Sequence, residues 1–299
     1  NINECPIRIY ADFETFNDAS MRHSSKNEKT TYSTGHKPAS FKILVVSDIF
    51  INGYEKVGKH YSKSIIYKGT DADNVFVHRI QELETELCQI IHDAQFNNKY
   101  NIIMSEQQKI EHKACKSCWI CQSKFTSDNK KVRHHDHNTG QYHSALCSKC
   151  NVQIKDTVKI PVFFHNLNYD KNVFFTSLVH YKGEKDFKIL PDNSESFKAF
   201  TIGKLHFLDS MRFLNSSLAT LIKNIPSDKM HFLKHLTKDE NQLNLMKQKG
   251  QFPYEWFDSI DKLKLPISEL KREFFDNKLT DSVLSDKEWK VVENIIKQL

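Results

Sequence analysis

Ile7-Arg8-Ile9-Tyr10-Ala11-Asp12-Phe13-Glu14 is the stretch on which the fold turns. Apolar Ile7, Ile9, Ala11 and Phe13 alternate with Arg8, Tyr10, Asp12 and Glu14, so a strand here buries one face and carries two carboxylates on the other. A polar stretch over 17–38 reads as a loop. Phe41 to Phe50 (FKILVVSDIF), β-branched and apolar, reads as a second strand. Over 74–96, Val77, Ile80, Leu83, Leu87, Ile90, Ile91 and Ala94 recur at helical spacing. Further on, IPVFFHNLNYD (160–170) reads as a buried strand running into a site loop, followed by a helix over 171–181. Two short strands at 197–202 and 204–209 precede a helix opened by Ser216 and Ser217. The tail from about 265 is expected to be mostly helical, with Trp289, Val292, Ile295 and Ile296 as its apolar stripe.

Between these halves the composition changes. From His112 to Asn151 the chain is dense in Cys and His and poor in large aliphatics, too poor to build an ordinary core. The expectation is an α/β domain interrupted by a small module: 1–111 and 153–299 as the two halves, 112–152 as the insert.

Length and charge bound the function. At 299 residues the chain holds one large domain or two ordinary ones. No apolar run reaches the roughly 20 residues a bilayer span requires, so no membrane role is expected. NINECPIRIY shows no secretory leader, and a start without Met suggests a fragment. A net charge of +6 favours a polyanionic partner, although a Lys-rich surface is also an ordinary solvated face.

Asp12 and Glu14, two apart on a strand, project from the same face and suit a hard divalent metal. With Asp170 after the 160–164 strand, they can hold two Mg²⁺ or Mn²⁺ ions about 3.5–4 Å apart, the spacing of two-metal phosphodiester hydrolysis. The same D-x-E also describes a plain solvated strand face. Cys118-x-x-Cys121 and Cys147-x-x-Cys150 suit tetrahedral Zn²⁺ in a closed structural site. Cys115-x-x-Cys118 has the same spacing and competes with it. Cys5 and Cys88 read as ordinary buried thiols.

Asp12-Phe13-Glu14-Thr15 and His165-Asn166-Leu167-Asn168-Tyr169-Asp170 resemble the first two exonuclease motifs of family B DNA polymerases, closest to protein-primed viral and self-synthesising transposon members. Similarity continues through Thr201 to Ser210, Ser216 to Leu218, Phe252 to Ser259 and Lys278 to Asp281. The resemblance implies a ribonuclease H-like 3′–5′ exonuclease, with Asp12, Glu14 and Asp170 as catalytic Mg²⁺ or Mn²⁺ ligands. Thr15, Asn166 and Tyr169 would contact single-stranded 3′ ends. It further implies a polymerase portion beyond this chain, a terminal priming protein as partner, and an intracellular location where viral or transposon DNA replicates. The family's third motif, Tyr-x-x-x-Asp, has two matches here, Tyr67 to Asp71 and Tyr254 to Asp258, and both are set aside on order and context.

In the module, His134-His135-Asp136-His137 between the cysteine pairs resembles the recombination endonuclease VII family. That resemblance implies a zinc-braced ββα-metal fold with His135 as general base. His134 and Asn151 would be ligands of a possible second-site ion, and His137 would lie in the site. His134 stands where that family carries Asp, and an imidazole supplies no charge. Three functions follow: a metal-dependent 3′–5′ exonuclease, a structure-directed endonuclease on branched DNA, and a catalytically incomplete DNA-binding fragment.

Overall fold

The structure is a computed structural model. It describes residues 5, 7–17, 22–24, 31–33, 36–47, 62–97, 102–137, 140–154, 159–182, 187–193, 196–230, 237, 239–248, 250–276 and 281–298.

The alternation in the opening strand is realised in β1 (Ile7–Asn17). It pairs antiparallel with β4 (His36–Ser47), so that Ile9 faces Val45, Ala11 faces Ile43 and Phe13 faces Phe41. All six of these side chains are buried, because period two in both strands sends matched residues to one side. Beyond β4 lies β5 (Ser62–Lys68). On the other edge, β1 runs parallel to β8 (Ile160–Phe164), and β8 runs parallel to β11 (Leu205–Asp209). An antiparallel pair, β10 (Phe197–Ile202) and β9 (Phe187–Pro191), completes a seven-stranded sheet of order β5-β4-β1-β8-β11-β10-β9. The turn from β10 to β11 holds Gly203 at φ +57°. There the Glu84 carboxylate accepts the Lys204 N–H at 2.6 Å and occupies the space a Cβ would need.

Two helices cover one face: α1 (Ala72–Asn97) and α4 (Leu167–Lys182), packed on each other. Phe76, Ile80, Leu83 and Leu87 of α1 and Phe174 and Leu178 of α4 close a single core with Ile9, Phe41, Val162 and Phe207. Rings carry much of it: Phe13 stacks on Phe174 at 5.5 Å, and Phe200 on Phe207 at 4.4 Å.

The stretch 102–154 forms a smaller unit. It contains α2 (Glu106–Ala114), the hairpin β6 (Lys131–His135) and β7 (Tyr142–Cys147), and α3 (Ser148–Gln153). The expected boundary between 111 and 112 falls inside α2, which opens on a Ser105–Gln108 capping box. The segment before α2 also joins the hairpin, since Tyr142 N–H donates to the Ile103 carbonyl.

Several expectations change. The stretch 17–38 is not all loop: β1 extends to Asn17, and β2 (Arg22–Ser24) pairs with β3 (Thr31–Ser33). The second strand begins at His36, five residues earlier than FKILVVSDIF implies, and its continuation over 48–50 lies outside the described residues, as do 277–280 of the Lys278 stretch. The helix expected from 171 begins at Leu167, so Asp170 sits in a helical first turn and not on a loop. After Ser217 caps α5 (Leu218–Lys223) and Asp239 caps α6 (Glu240–Met246), 260–275 is a series of short 3₁₀ turns. The extended backbone of Leu265 and Pro266 breaks the helical path there. Only α7 (Asp286–Gln298) fulfils the helical tail, with Val292 buried. Among the described residues no helix is long and apolar enough to cross a membrane.

Candidate functional site

The cysteine cluster is the most sharply built feature. Cys118 and Cys121 lie on a tight loop before β6. Cys147 ends β7 and its sulfur accepts the Cys150 N–H, so the second pair is formed by the cap of α3. The four ligand atoms all lie within 4.8 Å of one another, and Cys121 Sγ is 3.9 Å from Cys147 Sγ. Sulfurs bound tetrahedrally to zinc at about 2.3 Å stand roughly 3.8 Å apart, so the residues present fit that ion. The thiols also respond to each other. Burial opposes a Cys118 thiolate, but backbone hydrogen bonds from Cys121, Cys147 and Ile120 outweigh it and bring the thiol down to about 6. Cys150 is pushed up to about 12 by the thiols of Cys147 and Cys121, with burial adding to the effect. Four crowded sulfurs that cannot all ionise alone are what a dication relieves. Cys115 stands outside the quartet, its thiol donating to the Ser117 carbonyl at 3.1 Å.

From this clamp β6, β7 and α3 form a ββα unit. Its two strands pair with a register shift between His134 and His135, where His143 of β7 is the extra residue. His135 Nδ1 lies 3.0 Å from the Arg133 carbonyl oxygen, which can only accept, so Nδ1 is the donor there and, in the neutral imidazole, Nε2 is the nitrogen with the lone pair. The His137 ring lies parallel to it at 4.8 Å, and His134 is 5.5 Å from His143. Asn151 is half-buried on α3, which packs on both strands. Lys131 ties the unit to α2: its ammonium donates to the carbonyls of His112, Lys113 and Cys115 at the helix C-terminus.

A second cluster sits where the parallel strands β1, β8 and β11 end. Asp12 and Glu14 lie on the sheet face opposite α1 and α4, while Asp170 enters from the first turn of α4 and is buried. Burial and the charges of Asp12, Glu14 and Asp209 push the Asp170 carboxyl up to about 8. Asp12 keeps solvent access, yet the crowding around its carboxyl raises it too, with His165 as a counterweight. Thr15 is half-buried at the register shift after Glu14. Asn166 is exposed at φ +85°, its N–H held by Asp209 Oδ1 at 3.0 Å, and Tyr169, 45% exposed, bonds His36 through its hydroxyl. Among the described residues the cysteine quartet is the only group of three or more His, Cys, Asp or Glu whose ligand atoms converge that closely, so the acidic side chains share a field without forming a finished cage.

Three members of this cluster were given no role there by the sequence reading. Asp209 ends a buried strand and accepts the N–H groups of Asn166 and Met211. His165 Nδ1 meets Ser210 Oγ at 2.9 Å. Tyr254, in a stretch set aside above, lies in the field of the carboxylates: burial and then Glu14, Asp12 and Tyr169 push its phenol up. Phe16, Ala39 and Phe257 pack together and bring that stretch to the end of β1. Its Asp258 is held by Lys262 at 2.8 Å. In the other match, Tyr67 donates to Asp71 itself.

Residues 93–181 match the family model of recombination endonuclease VII, a stretch that includes the cysteine quartet, the ββα unit, β8 and α4. No curated protein and no solved structure matches the chain.

Proposed function

We propose that the chain is a DNA nuclease whose endonuclease VII-like domain makes structure-directed cuts in branched DNA. The observation that carries this reading is His135: it sits at a register shift of the hairpin, the Arg133 carbonyl accepts from its Nδ1, and the cysteine clamp braces the hairpin that bears it. His135 Nε2 would take the proton from an attacking water. Zinc at Cys118, Cys121, Cys147 and Cys150 would supply folding energy and no chemistry. His134 and Asn151 would contact a second ion, and with neutral donors there no catalytic step is assigned to it. His135→Ala is expected to abolish discrete cuts on a labelled four-way junction while zinc stays bound. Undiminished cutting contradicts the assignment.

A second reading is supported by the raised Asp170: a metal-dependent 3′–5′ exonuclease site of ribonuclease H-like type at Asp12, Glu14 and Asp170. Three parallel central strands flanked by antiparallel ones favour it. A Mg²⁺ or Mn²⁺ ion there would acidify the attacking water and stabilise the leaving oxygen. Thr15, Asn166 and Tyr169 would hold the 3′ end, and Tyr254 faces the same carboxylates. A polymerase portion and a priming protein rest on the motif resemblance alone. Under this reading Asp12→Ala removes a ladder shortened from the 3′ end of 5′-labelled single-stranded DNA and leaves junction cutting intact.

A further inference from the structure

We infer that the sheet face opposite α1 and α4 is a stacking platform for single-stranded DNA, with Tyr10, Phe163 and Phe213 as its rings. The strand register sets it out. Tyr10 lies opposite Leu44 on β4 and Phe163 on β8, and Phe163 lies opposite Leu208 on β11. Tyr10 and Phe163 stack with centroids 5.5 Å apart at 25°. Phe213, in the turn after β11, meets Phe163 edge-on at 6.0 Å. Tyr10 is 44% and Phe213 60% exposed, although the same three strands bury every apolar residue of the opposite face. Rings presented in series on a rigid sheet are the means by which proteins hold unpaired bases without reading their sequence.

Charge selects the occupant. Lys42, exposed and opposite Asp12 in the register, lies one pleat from Tyr10 at the acidic end. At the other end are Arg8 and Lys159; burial and the Lys159 charge hold the His206 imidazole there below its usual range, so His206 adds no positive charge. The row of rings therefore runs between cations placed to follow a phosphate backbone. Asp12 and Glu14 repel that backbone unless a cation intervenes, so near them the strand must be held by its bases. A duplex, whose bases are stacked on each other, has no free ring to offer. The second reading above contributes only the polarity of the strand, its 3′ end at Asp12; the binding itself does not depend on it.

The test is fluorescence anisotropy of a 5′-labelled oligothymidylate of about twelve nucleotides, with the zinc-loaded full chain in Ca²⁺, so that no turnover is needed. Phe213→Ala and Tyr10→Leu are expected each to raise Kd about tenfold, while Phe213→Trp restores tight binding. Unchanged zinc content and melting show that the variants fold. Kd values that do not move in Phe213→Ala and Tyr10→Leu overturn the platform, and so does loss of self-association in these variants with DNA binding intact, which assigns the face to a second copy. If Asp12→Ala stops digestion while the ring variants bind normally, the platform alone fails. If no digestion occurs yet Kd follows the rings, the platform stands and the exonuclease reading fails.

Discussion

Around the seven-stranded sheet, Phe41, Phe76, Phe164, Phe174, Phe200 and Phe207 are fully buried in one apolar core. In the ββα unit the buried cluster is Cys118, Leu146 and Cys147, with Phe125, Val132, Cys150 and Ile154 packed at its margin. Burial of a large aromatic side chain contributes about 2–3 kcal/mol, so the sheet has ample apolar area of its own. The smaller unit lacks it, and two of the three residues in its buried cluster are metal-ligand candidates. The lesson is that one region has apolar area enough to stabilise itself while the other offers a cysteine quartet that fits zinc, and the two should fail under different treatments.

Chelation breaks that comparison most severely. Structural zinc contributes on the order of 10 kcal/mol or more to a small site. Cys147→Ser or excess chelator is therefore expected to unfold the ββα unit and leave the sheet protected, read by hydrogen exchange peptide by peptide. Retained protection at 131–150 without zinc contradicts it. The converse variant, Phe174→Ala, is expected to cost the sheet about 3–5 kcal/mol, seen as an earlier main melting transition with zinc content unchanged.

Asp170 sharpens the contrast through pH. Its folded-state pKa, about 8, lies above the ordinary 3.8, so the folded chain holds this proton more tightly than the unfolded one. Its contribution is therefore lost as pH rises from about 4 through 8. Asp170→Asn should raise Tm by roughly 5 °C at pH 8.5 and little at pH 4, and Mn²⁺ should stabilise the native chain but not the variant. A Tm equal to that of the native chain at pH 8.5 contradicts this. The smallest effect belongs to Lys131→Ala. Removing the cation from the α2 carbonyls should cost roughly 1–2 kcal/mol of local stability, read as faster exchange in 106–115 alone.

What the sequence disclosed follows the same division. β1, β4 and α1 were legible because each buries one face against the core, and burial on one face writes a period into the sequence. The zinc quartet was legible because coordination writes a spacing. β9 left no such trace: apart from Phe187 its residues are exposed, as befits an edge strand with nothing packed on it. α2 buries no residue, so it shows no stripe, and its capping box was the one signal available. The acidic site was half legible. Asp12, Glu14 and Asp170 stand in short motifs, whereas Asp209 and Tyr254 reach them through strand order and through the packing of 252–263 on Phe16 and Ala39, neither of which a linear reading supplies.

The most direct test of the nuclease assignment uses one substrate, a four-way junction with a single-stranded 3′ tail, labelled at the 5′ end of the tailed strand and incubated with Mn²⁺. The native chain, His135→Ala and Asp12→Ala are compared at single-nucleotide spacing. The expected result is discrete cuts at the junction that vanish only in His135→Ala. Discrete cuts that persist in His135→Ala, or no junction cutting by the native chain at all, would contradict it.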